Sequence, residues 1–186
     1  MDNFPHEFSG GMRQRAMIAV ALGCAPQVLI ADEPTTALDV TVQAQILRLL
    51  LDLRDRHGLS LIMITHDLGV VAQTCDSIAV MYAGRLCEHG SKRDVLARAR
   101  HPYTHGLIEC QPASSAGSGL LRTIPGQPPL LDALPSGCRF HARCGHAGQG
   151  CAETLPLMRP MGIAHAAACH YPLAVRQPSV FEGIPS

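Results

Sequence analysis

Two apolar periods run through the first part of the chain. From Gly10 onward Met12, Ala16, Ala19 and Val20 recur at helical spacing behind Ser9, a favourable capping residue, and Pro26 closes the run. "VLIAD" (Val28–Asp32) then reads as a short buried strand. The spacing of Val42, Ile46, Leu49, Leu50 and Leu53 predicts a helix over 40–57, with Gly58 as its stop. "SLIMIT" reads as a second buried strand and "LGVVAQTC" as a short helix. "SIAVMYAGRLCEHG" has the alternation of a hairpin turning at Ala83-Gly84, and Ser91 caps a further helix in "SKRDVLARAR". Strands alternating with helices predict an α/β fold for residues 1–110.

After that point the pattern changes. "QPASSAGSG" and "TIPGQPPLLDALPSG" are rich in Pro, Gly and Ser, so residues 111–136 read as a linker. Residues 137–172 hold too few large apolar side chains for a core of their own, and 173–186 form a tail.

Composition narrows the function classes. Fifteen basic and fifteen acidic residues cancel, which leaves no electrostatic footprint for nucleic acid. No run approaches the roughly 18–20 apolar residues of a membrane span, and "MDNFPHEF" lacks the pattern of a signal peptide. A cytoplasmic location is therefore expected. Eight cysteines are many for that compartment, and four of them, Cys138, Cys144, Cys151 and Cys169, crowd into the last quarter. There a metal is expected before disulfides. Their spacing, C-x5-C-x6-C-x17-C, suits four ligands of a 4Fe–4S cluster or a structural zinc and does not decide between them, with His141, His146, His165 and His170 nearby. Cys24, Cys75, Cys87 and Cys110 are expected to be buried packing residues.

Three stretches carry chemistry. "FSGGMRQR" places Ser9, Gly10 and Gly11 at a helix entrance, where unpaired N–H groups and the helix dipole favour an anion. An ordinary N-cap would look the same. "VLIADE" delivers Asp32 and Glu33 at the C-terminal end of a strand, where ligand crevices of parallel sheets lie. An aspartate there can hold Mg²⁺, and a glutamate can orient and polarise a water. "SLIMITHD" ends a second strand on His66, a group able to contact a γ-phosphate.

Ser9-Gly10-Gly11 with Arg13-Gln14-Arg15, then "LIADEPTTALDVTVQAQIL", then "ITHDLGVVA", in this order and spacing, resemble an ABC-transporter ATPase. "HPYTHGL", "IPGQPP" and "GCRFHARC" are similar to the C-terminal extension of the ATP-binding subunits of bacterial oligopeptide and dipeptide importers. The resemblance covers the chain to about Pro172. It implies a partial P-loop NTPase core with a small Cys-rich C-terminal extension. It assigns Ser9, Gly10, Gly11 and Gln14 to the signature region that binds ATP, Asp32 to the Walker B position, Glu33 to the catalytic glutamate, Asp39 to the D-loop and His66 to the switch histidine. The implied cofactors are ATP and Mg²⁺, and the four tail cysteines are implied to hold a 4Fe–4S cluster.

The family works as two ATPase domains head to tail, on membrane permease subunits that receive peptide from a binding protein. The resemblance thus implies a second ATPase subunit as partner and a peripheral position on the cytoplasmic face of the inner membrane. The family's A-loop aromatic, Walker A loop and Q-loop glutamine have no counterpart in these residues and would lie upstream of Met1. The expectation is therefore a truncated or split energy-coupling subunit, inactive by itself, with one side of Val28–Asp32 short of cover. The alternatives are an inactive fragment keeping a metal-binding or dimerisation module, or a soluble ABC ATPase outside transport.

Overall fold

The computed structural model describes residues 4–111 and 122–174. Residues 112–121 of the expected linker and 175–186 of the tail lie outside the described residues. The chain divides into two compact units, Met1–Thr74 and Cys75–Ser186.

In the first unit helix α1 spans Gly10–Leu22, strand β1 Val28–Asp32, helix α2 Val40–His57, strand β2 Ser60–Ile64 and helix α3 Leu68–Thr74. Ser9 caps α1, its Oγ accepting from the Met12 N–H at 3.3 Å. Asp39 caps α2, its Oδ1 accepting from the Val42 N–H at 2.9 Å. Gly58 ends α2 in the left-handed region at φ 63°, a conformation that strains any side chain with a Cβ. Strands β1 and β2 pair in parallel, Val28 beside Ser60 through Asp32 beside Ile64.

The core of this unit is Ile18, Leu29, Ala31, Ile46, Leu50 and Leu59, with Leu22, Val42, Leu53 and Met63 packed against it. Full burial of a side chain such as Ile46 or Leu50 stabilises by about 1.5–3 kcal/mol. Among the described residues, helices cover one face of the strand pair. Leu29 and Ala31 point into the core, whereas Val28, Ile30, Ile62 and Ile64 on the other face are exposed. The reading of β1 and β2 as buried strands is thus corrected to half-buried strands. Helix α1 is also apolar on several sides, yet only Ile18 in it is buried.

In the second unit β3 (Ser77–Tyr82) and β4 (Arg85–Ser91) form the expected hairpin. Its turn residues Ala83 and Gly84 both have positive φ, 46° and 77°, which matches the twist of paired strands. Helices α4 (Lys92–Ala97) and α5 (Pro102–Glu109) follow. The C-terminal stretch then adds β5 (Arg159–Gly162) and β6 (His165–Ala167) to give an antiparallel sheet in the order β3-β4-β6-β5. Tyr82, Cys87 and Phe140 centre a cluster that also takes in Tyr103, Ile124, Cys138 and Cys144. The Pro-rich segment after residue 122 is held by Arg143, whose guanidinium donates to the carbonyls of Ile124 and Pro125 and to the Tyr82 hydroxyl.

Buried polar groups lock this unit. Glu88 is fully buried in β4. Its Oε1 accepts from the Arg100 N–H at 2.7 Å and from His165 Nε2 at 2.6 Å, and its Oε2 from the His101 N–H at 2.9 Å. His101 caps α5 by accepting from the Tyr103 N–H at 3.0 Å. Burial pushes its imidazole down to about 4, so Nδ1 stays free to accept near neutral pH. Of the four cysteines expected to be buried, Cys87 is buried and Cys75 and Cys110 are half-buried, whereas Cys24 is exposed, because the chain turns away after α1 through Gly23 and Ala25.

Candidate functional site

Parallel pairing brings the ends of β1 and β2 side by side. Asp32 is level with Ile64, and the next residue, Glu33, donates its N–H to the Ile64 carbonyl at 2.9 Å. Glu33 takes a left-handed backbone at φ 45°, which turns its side chain out of the strand direction. Its Oε1 meets His66 Nδ1 at 2.8 Å, and its Oε2 accepts from the Thr36 hydroxyl at 2.8 Å. The His66 and Thr36 hydrogen bonds hold the Glu33 carboxyl below its ordinary range. The bond to Glu33 likewise raises the His66 imidazole. Both groups reach solvent: the His66 side chain is 83% exposed and that of Glu33 38%. A carboxylate paired with a histidine at a strand end can orient a water and take its proton. Asp32 is exposed beside it, a hard oxygen donor of the kind Mg²⁺ takes.

A second grouping forms where two helices begin. A Cβ on Gly10 would stand 3.1 Å from Leu38 Cδ2, and one on Gly11 only 2.7 Å from Val42 Cγ1. Gly11 is therefore required by the close approach of α1 to the start of α2. The same contact puts the N-terminus of α1, with Ser9, Gly10 and Gly11, next to the loop that carries Asp39. Gln14 lies one turn on and is half-buried. Asp39 spends its carboxylate on capping α2, and Ser9 uses its oxygen as acceptor, leaving the hydroxyl proton free to donate.

No disulfide joins any of the eight cysteines, and Cys138, Cys144, Cys151 and Cys169 all lie in the second unit. Burial raises the Cys138 and Cys144 thiols, and raises Cys169 to about 11, with Cys138, Cys144 and Cys151 adding to the rise. The four thus share one electrostatic neighbourhood. Cys87, pushed up to about 12 by burial, adjoins Cys138 as well. The donor type suits iron or zinc. The arrangement does not close: among the described residues no three His, Cys, Asp or Glu side chains are placed to hold a metal ion. Three of the nearby histidines are engaged elsewhere. His141 bonds the Cys138 carbonyl, His165 bonds Glu88, and His170 bonds the Thr154 carbonyl.

The sequence singled out Glu33 and His66, which the fold brings into contact, and gave no role to Thr36, Glu88 or His101. Thr36 was readable as a hydroxyl three residues after an acid in a turn. Glu88 carried no such local signal, since its strand also holds the polar Arg85, His89 and Ser91.

Residues 87–151 match the family model described as oligopeptide/dipeptide transporter, C-terminal region. Residues 1–36 match the ABC transporter model. The chain is 55% identical over 170 residues to a probable peptide ABC transporter ATP-binding protein, y4tR, of Sinorhizobium fredii, covering 91% of this chain and 51% of that protein. It is 57% identical over 157 residues to the oligopeptide transport ATP-binding protein OppD of Salmonella typhimurium, covering 84% of this chain and 47% of the relative. It is 51% identical to the probable D,D-dipeptide transport ATP-binding protein DdpD of Escherichia coli, covering 92% and 52%. The chain spans about half the length of the curated relatives it matches. Among solved structures, cbiO1 of Clostridium perfringens is 37% identical with a TM-score of 0.46, covering 49% of this chain and 36% of that one.

Proposed function

Because this chain belongs to the ATP-binding proteins of peptide ABC transporters, we propose that it serves the energy-coupling step of oligopeptide or dipeptide import. The observation that carries the reading is the Glu33–His66 contact of 2.8 Å at the adjoining ends of two parallel strands. Glu33 acts as the general base on the water that attacks ATP, and His66 steadies it. Asp32 is the residue that would hold Mg²⁺, which neutralises phosphate charge when bound. Ser9, Gly10 and Gly11 face the phosphates of an ATP carried by a second ATPase subunit. Partner permeases place the protein at the cytoplasmic face of the inner membrane. No helix among the described residues is long and apolar enough to cross a membrane.

These 186 residues hold one lysine, Lys92, and no glycine-rich loop ending in Gly-Lys-Ser or Gly-Lys-Thr. The expected outcome is background phosphate release from a polypeptide of these residues alone. In an assembled transporter that supplies the loop, Glu33→Gln abolishes ATP hydrolysis and peptide uptake. Retention of the normal rate by Glu33→Gln overturns the reading.

The finer proposal concerns Cys138, Cys144, Cys151 and Cys169 as ligands of a 4Fe–4S cluster. What supports it is four free thiols in one neighbourhood, three of them inside the matched peptide-transporter region. Iron and acid-labile sulfide in anaerobically purified protein, lost on any one Cys→Ser change, are the expected result. Stoichiometric zinc without iron replaces the cluster by a structural zinc site.

A further inference from the structure

We propose that Thr36 is a positioning residue for Glu33, its hydroxyl fixing one carboxylate oxygen so that the other is aimed at the water-binding side of the site. The inference rests on the reading of Glu33 as general base. Three observations carry it. The Thr36 Oγ1 donates to Glu33 Oε2 at 2.8 Å, while His66 occupies Oε1 at 2.8 Å. The two oxygens therefore have separate holders, one from the loop after β1 and one from the end of β2. Second, the loop that carries Thr36 is itself closed on Glu33: the Thr36 N–H donates to the Glu33 carbonyl at 3.2 Å, and the Leu38 N–H to the Thr35 carbonyl at 3.2 Å. Third, Glu33 sits at φ 45° and Ala37 at φ 63°, so the segment is a turn of defined shape.

The division of labour follows from chain connectivity. Thr36 is three residues from Glu33 and moves with it. His66 comes from a different strand end, and its side chain is 83% exposed. When His66 gives up Oε1 to a water or a phosphate oxygen, Thr36 still holds Oε2, and the carboxylate keeps its plane. Without the hydroxyl, the carboxylate is free to rotate whenever His66 lets go. A general base that loses its aim loses turnover, because near-attack geometry is lost while nucleotide affinity is set elsewhere.

The test uses the assembled transporter with Thr36→Val, Thr36→Ala and Thr36→Ser, and with Glu33→Gln as control. Thr36→Val removes the hydroxyl at nearly constant volume, and the side chain is exposed, so the fold is kept. The expected result is a fall in kcat of about tenfold for Thr36→Val and Thr36→Ala, with KM for ATP unchanged within about twofold, and near-normal kcat for Thr36→Ser. The proposal is overturned if Thr36→Val keeps the normal kcat while Glu33→Gln abolishes it. It is equally overturned if Thr36→Ser falls as far as Thr36→Val, or if the change lies in KM alone. A normal rate in Glu33→Gln overturns the general-base reading instead, and the positioning role with it.

Discussion

The two units use polar groups in opposite ways. In the first, the polar contacts that matter sit at the surface: Glu33, His66 and Thr36 bond one another at the open ends of β1 and β2. In the second, the strongest network is sealed, with Glu88 fully buried and three donors on its two oxygens. The sheets differ as well. The outward face of the parallel pair is apolar along its length, with Val28, Ile30, Ile62 and Ile64. The outward residues of the hairpin in the second unit are mixed, with Ser77, Ala79 and Met81 on β3 and Arg85 and His89 on β4. Antiparallel sheets tolerate one wet face, whereas parallel strands ordinarily have both faces covered. The contrast separates two kinds of polar cluster. An exposed one can exchange partners and do chemistry. A buried, saturated one holds the chain in place.

The buried network gives the largest expected effect. Glu88→Ala strands the N–H groups of Arg100 and His101 and the His165 ring without their acceptor. Loss of one partner from such a buried set costs about 3–5 kcal/mol, and Glu88→Gln, which keeps one acceptor oxygen, costs less. Urea unfolding of the 186-residue chain, with limited proteolysis to locate the damage, should show the second unit opening first. By contrast Glu33→Ala should leave stability nearly unchanged. If Glu88→Ala loses no more than Glu33→Ala, the buried lock is not what holds the second unit.

The two shifted histidines, His101 and His66, should respond to pH with opposite signs. His101 has a folded value of about 4 against an ordinary 6.5. Below the unfolded value the unfolded chain binds a proton that the folded chain refuses, so stability falls as pH drops from 6.5 towards 4. Between about pH 7 and pH 5 the expected loss is roughly 2 kcal/mol. His66 is shifted upward, so its smaller contribution is present at low pH and fades as pH rises through its folded value. His101→Asn keeps a good capping acceptor and removes the titration, and should flatten the acid limb. Equal acid sensitivity in His101→Asn and the unaltered chain would assign the limb to other groups.

How far the sequence could be read depends on the range of the forces involved. Helix α2 was legible to its ends, because its period and its caps Asp39 and Gly58 are local. So was the Ala83-Gly84 turn. Glu33 and His66 were legible as strand ends, since parallel pairing aligns the ends of β1 and β2. The Glu88–His165 bond was not, because its partners lie 77 residues apart and neither residue's neighbours point to the other. Strands β5 and β6 are four and three residues long, too short for a period to show, and they exist through pairing, β6 with β4 and β5 with β6. Cys24 misled because apolar neighbours such as Ala21 and Leu22 suggest burial, while the turn after α1 carries it outward.

The smallest expected effect tests the bare face itself. Leu29 and Ile30 are neighbours on β1, of similar size and opposite direction, at 8% and 62% exposure. Leu29→Ala opens space in the core and should cost about 2–3 kcal/mol. Ile30→Thr keeps the β-branched shape that suits a strand and removes apolar surface already in water. Its cost should stay within about 0.5 kcal/mol. The comparison is made by urea unfolding at several protein concentrations, because self-association through Val28, Ile30, Ile62 and Ile64 would hide the face. If Ile30→Thr is neutral at low concentration and destabilising at high concentration, the face is bare in the monomer and covered by a second copy. A cost above about 1 kcal/mol at every concentration would mean that this face is buried within the chain, and the contrast between the two sheets would fall.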